Sequence, residues 1–128
     1  MRTPSQSVAR GRSYSTYRVG YCLNYVWNAI ASPTHFGLSD ANAGWAATVH
    51  RHTTDTPPAG VPVYWAGGDH GHVALSVGGG RVRSTDYPHK GSVGEVGIKD
   101  LTRMWHLTYR GWGADYCGHA IPNVAIPS

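Results

Sequence analysis

At 128 residues the chain is long enough for one domain with a core of its own and too short for several. Charged residues make up only 14 %, glycine is abundant at 17, and the aromatics are mostly Trp and Tyr, a balance that excludes a disordered chain and fits a compact domain with β-structure and ordered loops. The net charge of +4 is uneven, because Arg2, Arg10, Arg12 and Arg18 all precede the first acidic residue, Asp40.

Residues 1–17 are polar, dominated by Ser and Arg and without periodicity. They are expected to form an extended basic arm ahead of a single domain over 18–128. Such an arm is either a solvated tail or a means of attraction to an anionic surface. Nucleic acid is the weakest partner of that kind, since no helix-turn-helix, zinc-finger or RNP-like pattern follows. No apolar run approaches membrane-spanning length, and Met1-Arg2-Thr3-Pro4 opens no signal-peptide core, so neither membrane insertion nor self-encoded secretion is expected. Reduced thiols are then the default for Cys22 and Cys117.

The pattern changes at Cys22. Leu23, Val26, Trp27 and Ile30 fall at i, i+3, i+4 and i+7, one face of a helix. Ser32-Pro33 ends it, because a residue before proline is pushed out of helical geometry. A second helix is expected from Ser39 or Asp40, either of which can cap it, through Ala41 to about Val49, with Trp45 as its large apolar residue. The period then becomes two. Residues 61–65 predict a strand, with Pro62 placing it at an edge or a strand start. After a loop over 66–71, residues 72–77 form the cleanest strand in the chain. A Gly78-Gly79-Gly80 turn leads into a third over 81–85. A short strand is expected over 94–98, and Trp105, Leu107 and Tyr109 alternate in a later one. Helices followed by antiparallel hairpins make an α+β domain with helices packed on one side of a small sheet.

Cys22 at the start of a helix has two available roles. The positive end of the helix dipole favours thiolate, which would make it a nucleophile if a base is near; otherwise it is a small core residue. Among eight histidines, His72 is best placed for a base. Its strand puts Val73, Leu75 and Val77 on a core face and leaves His72, Ala74 and Ser76 on a face of small residues that another group could approach. Asp86, at the end of the next strand, is positioned to accept a hydrogen bond from one imidazole nitrogen and fix the tautomer. Alone it is equally a turn residue before Tyr87-Pro88. Together the three would make a thiol-protease-type triad.

The blocks Gly20-Tyr21-Cys22-Leu23-Asn24-Tyr25-Val26-Trp27, Ala59-Gly60-Val61-Pro62-Val63-Tyr64-Trp65, Gly71-His72-Val73-Ala74-Leu75-Ser76-Val77 and Ser84-Thr85-Asp86 resemble, in order and spacing, those of a CHAP domain (cysteine, histidine-dependent amidohydrolase/peptidase). Members of that family are papain-like peptidoglycan hydrolases common in phage endolysins and bacterial wall-remodelling enzymes. The resemblance spans roughly residues 18 to 112 and implies a papain-like fold, Cys22 as nucleophile and His72 as general base. Asp86 falls in the orienting position, with Ser84 the weaker occupant of the same role. It further implies acyl transfer without a cofactor: a thioester forms on Cys22, His72 protonates the leaving amine, and water releases the acyl group, as N-acetylmuramoyl-L-alanine amidase or endopeptidase. The partner would be bacterial peptidoglycan, the chain a monomer, and a phage lysin would stay in the host cytoplasm until released to the wall.

Two departures from the family stand out. Tyr21 replaces the Gln that commonly precedes the cysteine, so an oxyanion hole would need the Cys22 N–H with another donor, the Tyr21 hydroxyl being one candidate. The segment before Cys22 holds no Asp or Glu, which excludes the carboxylate calcium loop of some members. Trp65 and Trp45, with Trp27, are candidates for stacking on substrate, although such residues more often serve the core. Two other functions compete. One is a zinc peptidase built on His70 and His72, completed by Asp69, Asp86, His50 or His52. The other is a non-catalytic wall-binding module in which Cys22 and Cys117 are buried. Cys117 is expected to be a free structural thiol.

Overall fold

Thr3 begins the first helix, α1 (Pro4–Arg12). Its hydroxyl accepts the Gln6 N–H while its own N–H donates to the Gln6 side chain, and Pro4 sits where a missing N–H costs nothing. In this computed structural model, which describes residues 1–33 and 39–124, the segment expected as an extended arm is therefore a helix, and it is docked. Ser7, Val8 and Gly11 are buried, and Arg2 donates its N–H to the Ile30 carbonyl and its guanidinium to those of Asn28 and Ala29. Periodicity could not find α1, because Val8 is its one large apolar residue; the capping box was the available signal.

The next helix, α2 (Cys22–Ile30), follows the expected stripe, burying Leu23, Tyr25, Val26, Ala29 and Ile30 and closing at Ala31, whose φ is 58°. Asp40 caps α3 (Ala41–Ala46) by accepting the Ala43 N–H at 2.9 Å. This helix stops short of Val49, since the N–H groups of Val49 and His50 turn to the Asp115 carboxylate instead.

Six strands follow: β1 (Arg51–His52), β2 (Pro62–Ala66), β3 (His72–Gly78), β4 (Arg81–Thr85), β5 (Val93–Gly97) and β6 (Thr108–Gly113). They pair antiparallel throughout in the order β1-β6-β2-β3-β4-β5, so β2 and β3 lie in the middle. Pro62 is the first residue of its strand, as its missing N–H requires. A fourth helix, α4 (Ile98–Met104), occupies the end of the expected 94–98 strand and runs to Trp105, so only the last part of the Trp105–Leu107–Tyr109 alternation is strand. Its apolar residues Ile98 and Leu101 are too few to announce a helix. A small hairpin, β7 (Asp115–Tyr116) with β8 (His119–Ala120), completes the described chain; the last four residues of the expected 18–128 unit lie outside the described residues.

Both faces of the sheet are covered. On one, Leu75 lies over Gly11 of α1, whose carbonyl accepts the Tyr25 hydroxyl of α2, and Tyr64 packs against Trp45 of α3 with ring centroids 5.3 Å apart. Arg83 on the same face donates to the carbonyls of Gly11 and Tyr14. On the other, Trp65 donates its indole N–H to Thr102 of α4 at 2.8 Å. The expectation that helices lie on one side, and that His72, Ala74 and Ser76 line an approachable face, is corrected: α4 lies on that side, Trp65 and Trp105 pack on His72, and Ser76 donates its hydroxyl to the Pro57 carbonyl, leaving His72 7 % exposed and Ala74 and Ser76 fully buried. The architecture is α+β on an antiparallel sheet. Among the described residues no helix is long and apolar enough to cross a membrane.

Candidate functional site

Cys22 is the first residue of α2 and stands half-buried on the wall of an open cleft of about 330 Å³ that it shares with Gly20, Tyr21, Asn24, Asp40 and His70. Two opposed influences act on the thiol. Burial pushes its pKa up, while the backbone N–H groups of Val73, Leu23 and Cys22 itself pull it down; the Asp86 charge adds a smaller push upward. Burial prevails, so the resting sulfur is a thiol and needs a base, and the helix dipole alone does not ionise it.

The position of that base follows from β3. After burial, the Val73 backbone N–H has the largest influence on the Cys22 thiol and favours its ionised form, and His72 is the residue immediately before it. The His72 ring is tilted on Trp65 (5.6 Å between centroids) and edge-on to Trp105 (4.9 Å), and its Nε2 bonds Ser84 Oγ at 2.8 Å. Ser84 donates its own hydroxyl proton to the Thr85 carbonyl at 2.9 Å, so it must accept from His72 Nε2–H. That accounting leaves Nδ1 as the unprotonated nitrogen. Burial among these rings pushes the imidazole down to about 4, only partly opposed by the Asp86 charge, which keeps it neutral and able to take a proton at neutral pH.

Asp86 makes no hydrogen bond to the imidazole among the described residues. Its backbone takes a left-handed conformation (φ 62°), and its carboxylate accepts the N–H groups of Gly91 at 2.9 Å and Gly20 at 3.4 Å. It ties the β4–β5 loop to the residue two before Cys22, and its charge acts on both Cys22 and His72. The expected orienting bond from Asp86 is thus replaced by one from Ser84, the residue ranked second for that role. A hydroxyl suits the place because the site is fully buried, where a carboxylate would have to shed its hydration. Among the described residues no hydrogen bond joins Cys22 to His72.

Tyr21 is the N-cap residue of α2 and offers no side-chain cap; 42 % exposed, its ring lies on the cleft rim with the Arg18 guanidinium stacked over it at 4.7 Å. Trp65 is 1 % exposed and held by Thr102, so it belongs to the core and is not a shelf for substrate. Trp45 is half-buried between Tyr64 and the Arg51 guanidinium and does not line the cleft. Asn24, whose amide oxygen accepts the Tyr17 hydroxyl, does line it; no motif marked it beyond its place two residues after the cysteine. Also missed was the pairing of Asp40 with His70, Nδ1 to Oδ2 at 2.9 Å. Asp40 was legible as a cap, but nothing in the sequence brings residue 70 back to residue 40.

The zinc constellation does not assemble. His70 turns to Asp40 and His72 to Ser84, His52 stacks on Trp112 at the far side of the sheet, and among the described residues no three His, Cys, Asp or Glu side chains are placed to hold a metal ion. Cys117 is half-buried beside Asp115, and burial followed by that charge pushes it up to about 12, so it is an inert thiol. No protein-family model matches the chain, and a search of curated proteins returns no match.

Proposed function

We propose that this chain is a cysteine hydrolase of the CHAP type that cleaves an amide bond in the peptide part of bacterial peptidoglycan, in the manner of a phage lysin with a papain-like catalytic domain. The observation that carries the reading is the corner where α2 meets β3. A thiol at a helix N-terminus faces an open cleft, the Val73 backbone N–H favours its ionised form, and the imidazole of the preceding residue, His72, is fixed as the Nε2–H tautomer. In this mechanism His72 Nδ1 takes the thiol proton as the sulfur attacks the amide carbonyl. The backbone N–H groups gathered at the sulfur are suited to hold the oxyanion, and collapse gives a thioester that water hydrolyses. Asp86 keeps Gly20, and with it the start of α2, in register with the β4–β5 loop.

Release of new amino termini from purified peptidoglycan tests this. Cys22→Ser and iodoacetamide treatment should each abolish release, while a chelator leaves it intact, and mass spectrometry of the products identifies the bond. Lysis that survives Cys22→Ser refutes the mechanism.

A further inference from the structure

The cleft that Cys22 lines is also lined by an imidazole, that of His70. His70 is anchored through Nδ1 to Asp40, whose other carboxylate oxygen is fixed by the Ala43 N–H. The backbone of His70 is held too, its carbonyl accepting the Asn42 N–H at 3.0 Å, and Asn42 reaches the Asp69 carbonyl. Left-handed Gly68 (φ 59°) and Gly71 (φ 70°) fold the loop so that it can make these contacts, and a Cβ at Gly71 would stand 2.5 Å from the Asn42 side-chain oxygen. The His70 side chain is 77 % exposed, and among the described residues its Nε2 has no hydrogen-bond partner. A solvent-facing imidazole, oriented by a carboxylate that is itself pinned, in the same cleft as a nucleophile, is the arrangement that proton transfer to a substrate atom requires.

We propose that His70 is the acid that protonates the leaving amine, so that the reaction uses two imidazoles instead of one. This rests on Cys22 being the nucleophile. In acylation the S–H proton goes to His72 Nδ1, the S–C bond forms, and the C–N bond breaks as His70, starting as the imidazolium with Nδ1–H on Asp40, gives its Nε2 proton to the departing nitrogen. In deacylation neutral His70 takes a proton from water, the new C–O bond forms, and the C–S bond breaks. The sulfur recovers its proton from His72, both imidazoles return to their starting forms, and no other reactant is consumed. The two exposures match this division: buried His72 exchanges a proton only with the sulfur, while His70, 77 % exposed, exchanges protons with the departing amine and with water.

Leaving-group dependence separates this from a structural role. Hydrolysis of peptidoglycan, whose amine must be protonated, is compared with the acylation burst on p-nitrophenyl acetate, whose phenolate leaves without a proton. For His70→Gln, peptidoglycan hydrolysis should fall by at least about 100-fold while the ester burst stays within about threefold. Asp40→Asn, which keeps the capping oxygen, should show the same selectivity at roughly a tenth of the loss. His70→Gln that retains peptidoglycan activity, or that loses both substrates together, overturns the role of His70 while leaving Cys22 in place. A wild-type protein inert to both probes, or Cys22→Ser that keeps activity, overturns the Cys22 reading and this one with it.

Discussion

Acidification from pH 7 to pH 4 should strip the protein of stability through one residue, His72. Its imidazole is held near 4 in the fold by burial against an ordinary 6.5, so between those values the unfolded chain binds a proton that the folded chain refuses. Stability therefore falls as pH falls through that window, is fully present above 6.5 and stops declining below about 4. The interval, at about 1.4 kcal/mol per pH unit, amounts to about 3 kcal/mol by pH 4, a large share of the 5–15 kcal/mol typical of a domain. The burial behind it is concrete: Trp65 and Trp105 pack against the ring, and its Nε2 bonds a buried hydroxyl. Urea unfolding at pH 7, 6, 5 and 4, on wild type and His72→Gln, isolates the effect, because the carboxylates that also titrate are common to both proteins. The wild type should lose about 3 kcal/mol more than the variant over that range, and the His72 ring should titrate by NMR with a midpoint near 4. Equal losses in the two proteins, or a midpoint near 6.5, would refute the description of His72 as a buried neutral base.

Three further expectations concern the frame around the site. Gly11→Ala should destabilise by about 1–3 kcal/mol in urea unfolding, since a Cβ there would stand 2.7 Å from Leu75 and 2.8 Å from the Tyr25 hydroxyl, both fully buried; an unchanged midpoint would mean that α1 packs less closely. Asp115 is wholly buried and accepts the N–H groups of Val49, His50 and Gly118, so Asp115→Ala should cost about 3 kcal/mol or more by the same measurement. Thr3→Ala removes one arm of the α1 capping box and should cost about 1 kcal/mol, with faster amide exchange confined to the first turn of α1.

The helix at Cys22 and the central strands were legible because their signals are local: an i, i+3, i+4, i+7 stripe and runs of alternation bounded by glycine. Helices α1 and α4 were not, because their order comes from docking. Each carries few large apolar residues and would be marginal alone; α1 is fastened by Arg2 on the end of α2, and α4 by Thr102 under Trp65. The open face expected for β3 is closed by such non-local packing, with Trp105 after α4 against His72 and the Pro57 loop over Ser76. At the site, residue types and chain order pointed to Cys22 and His72, but the group that orients the imidazole depends on where β4 side chains project. Ser84 faces the ring from within its strand, whereas Asp86 has already entered the turn with φ 62° and spends its oxygens on backbone N–H groups. Both residues were visible in the sequence; their division of labour was set by one backbone torsion.

Asp40 serves two masters, and this makes part of the cleft cooperative. One of its oxygens holds the first turn of α3 and the other holds His70, while Asn42 links the same turn to the loop backbone. A six-residue helix has little order of its own, so α3 and the loop lend each other theirs and open as one unit. The exchange rate of the Ala43 amide is then a remote gauge of how often the wall carrying His70 is out of place. Helix-weakening changes anywhere in α3 should be felt as intermittent loss of one side of the cleft, at a distance from the sulfur.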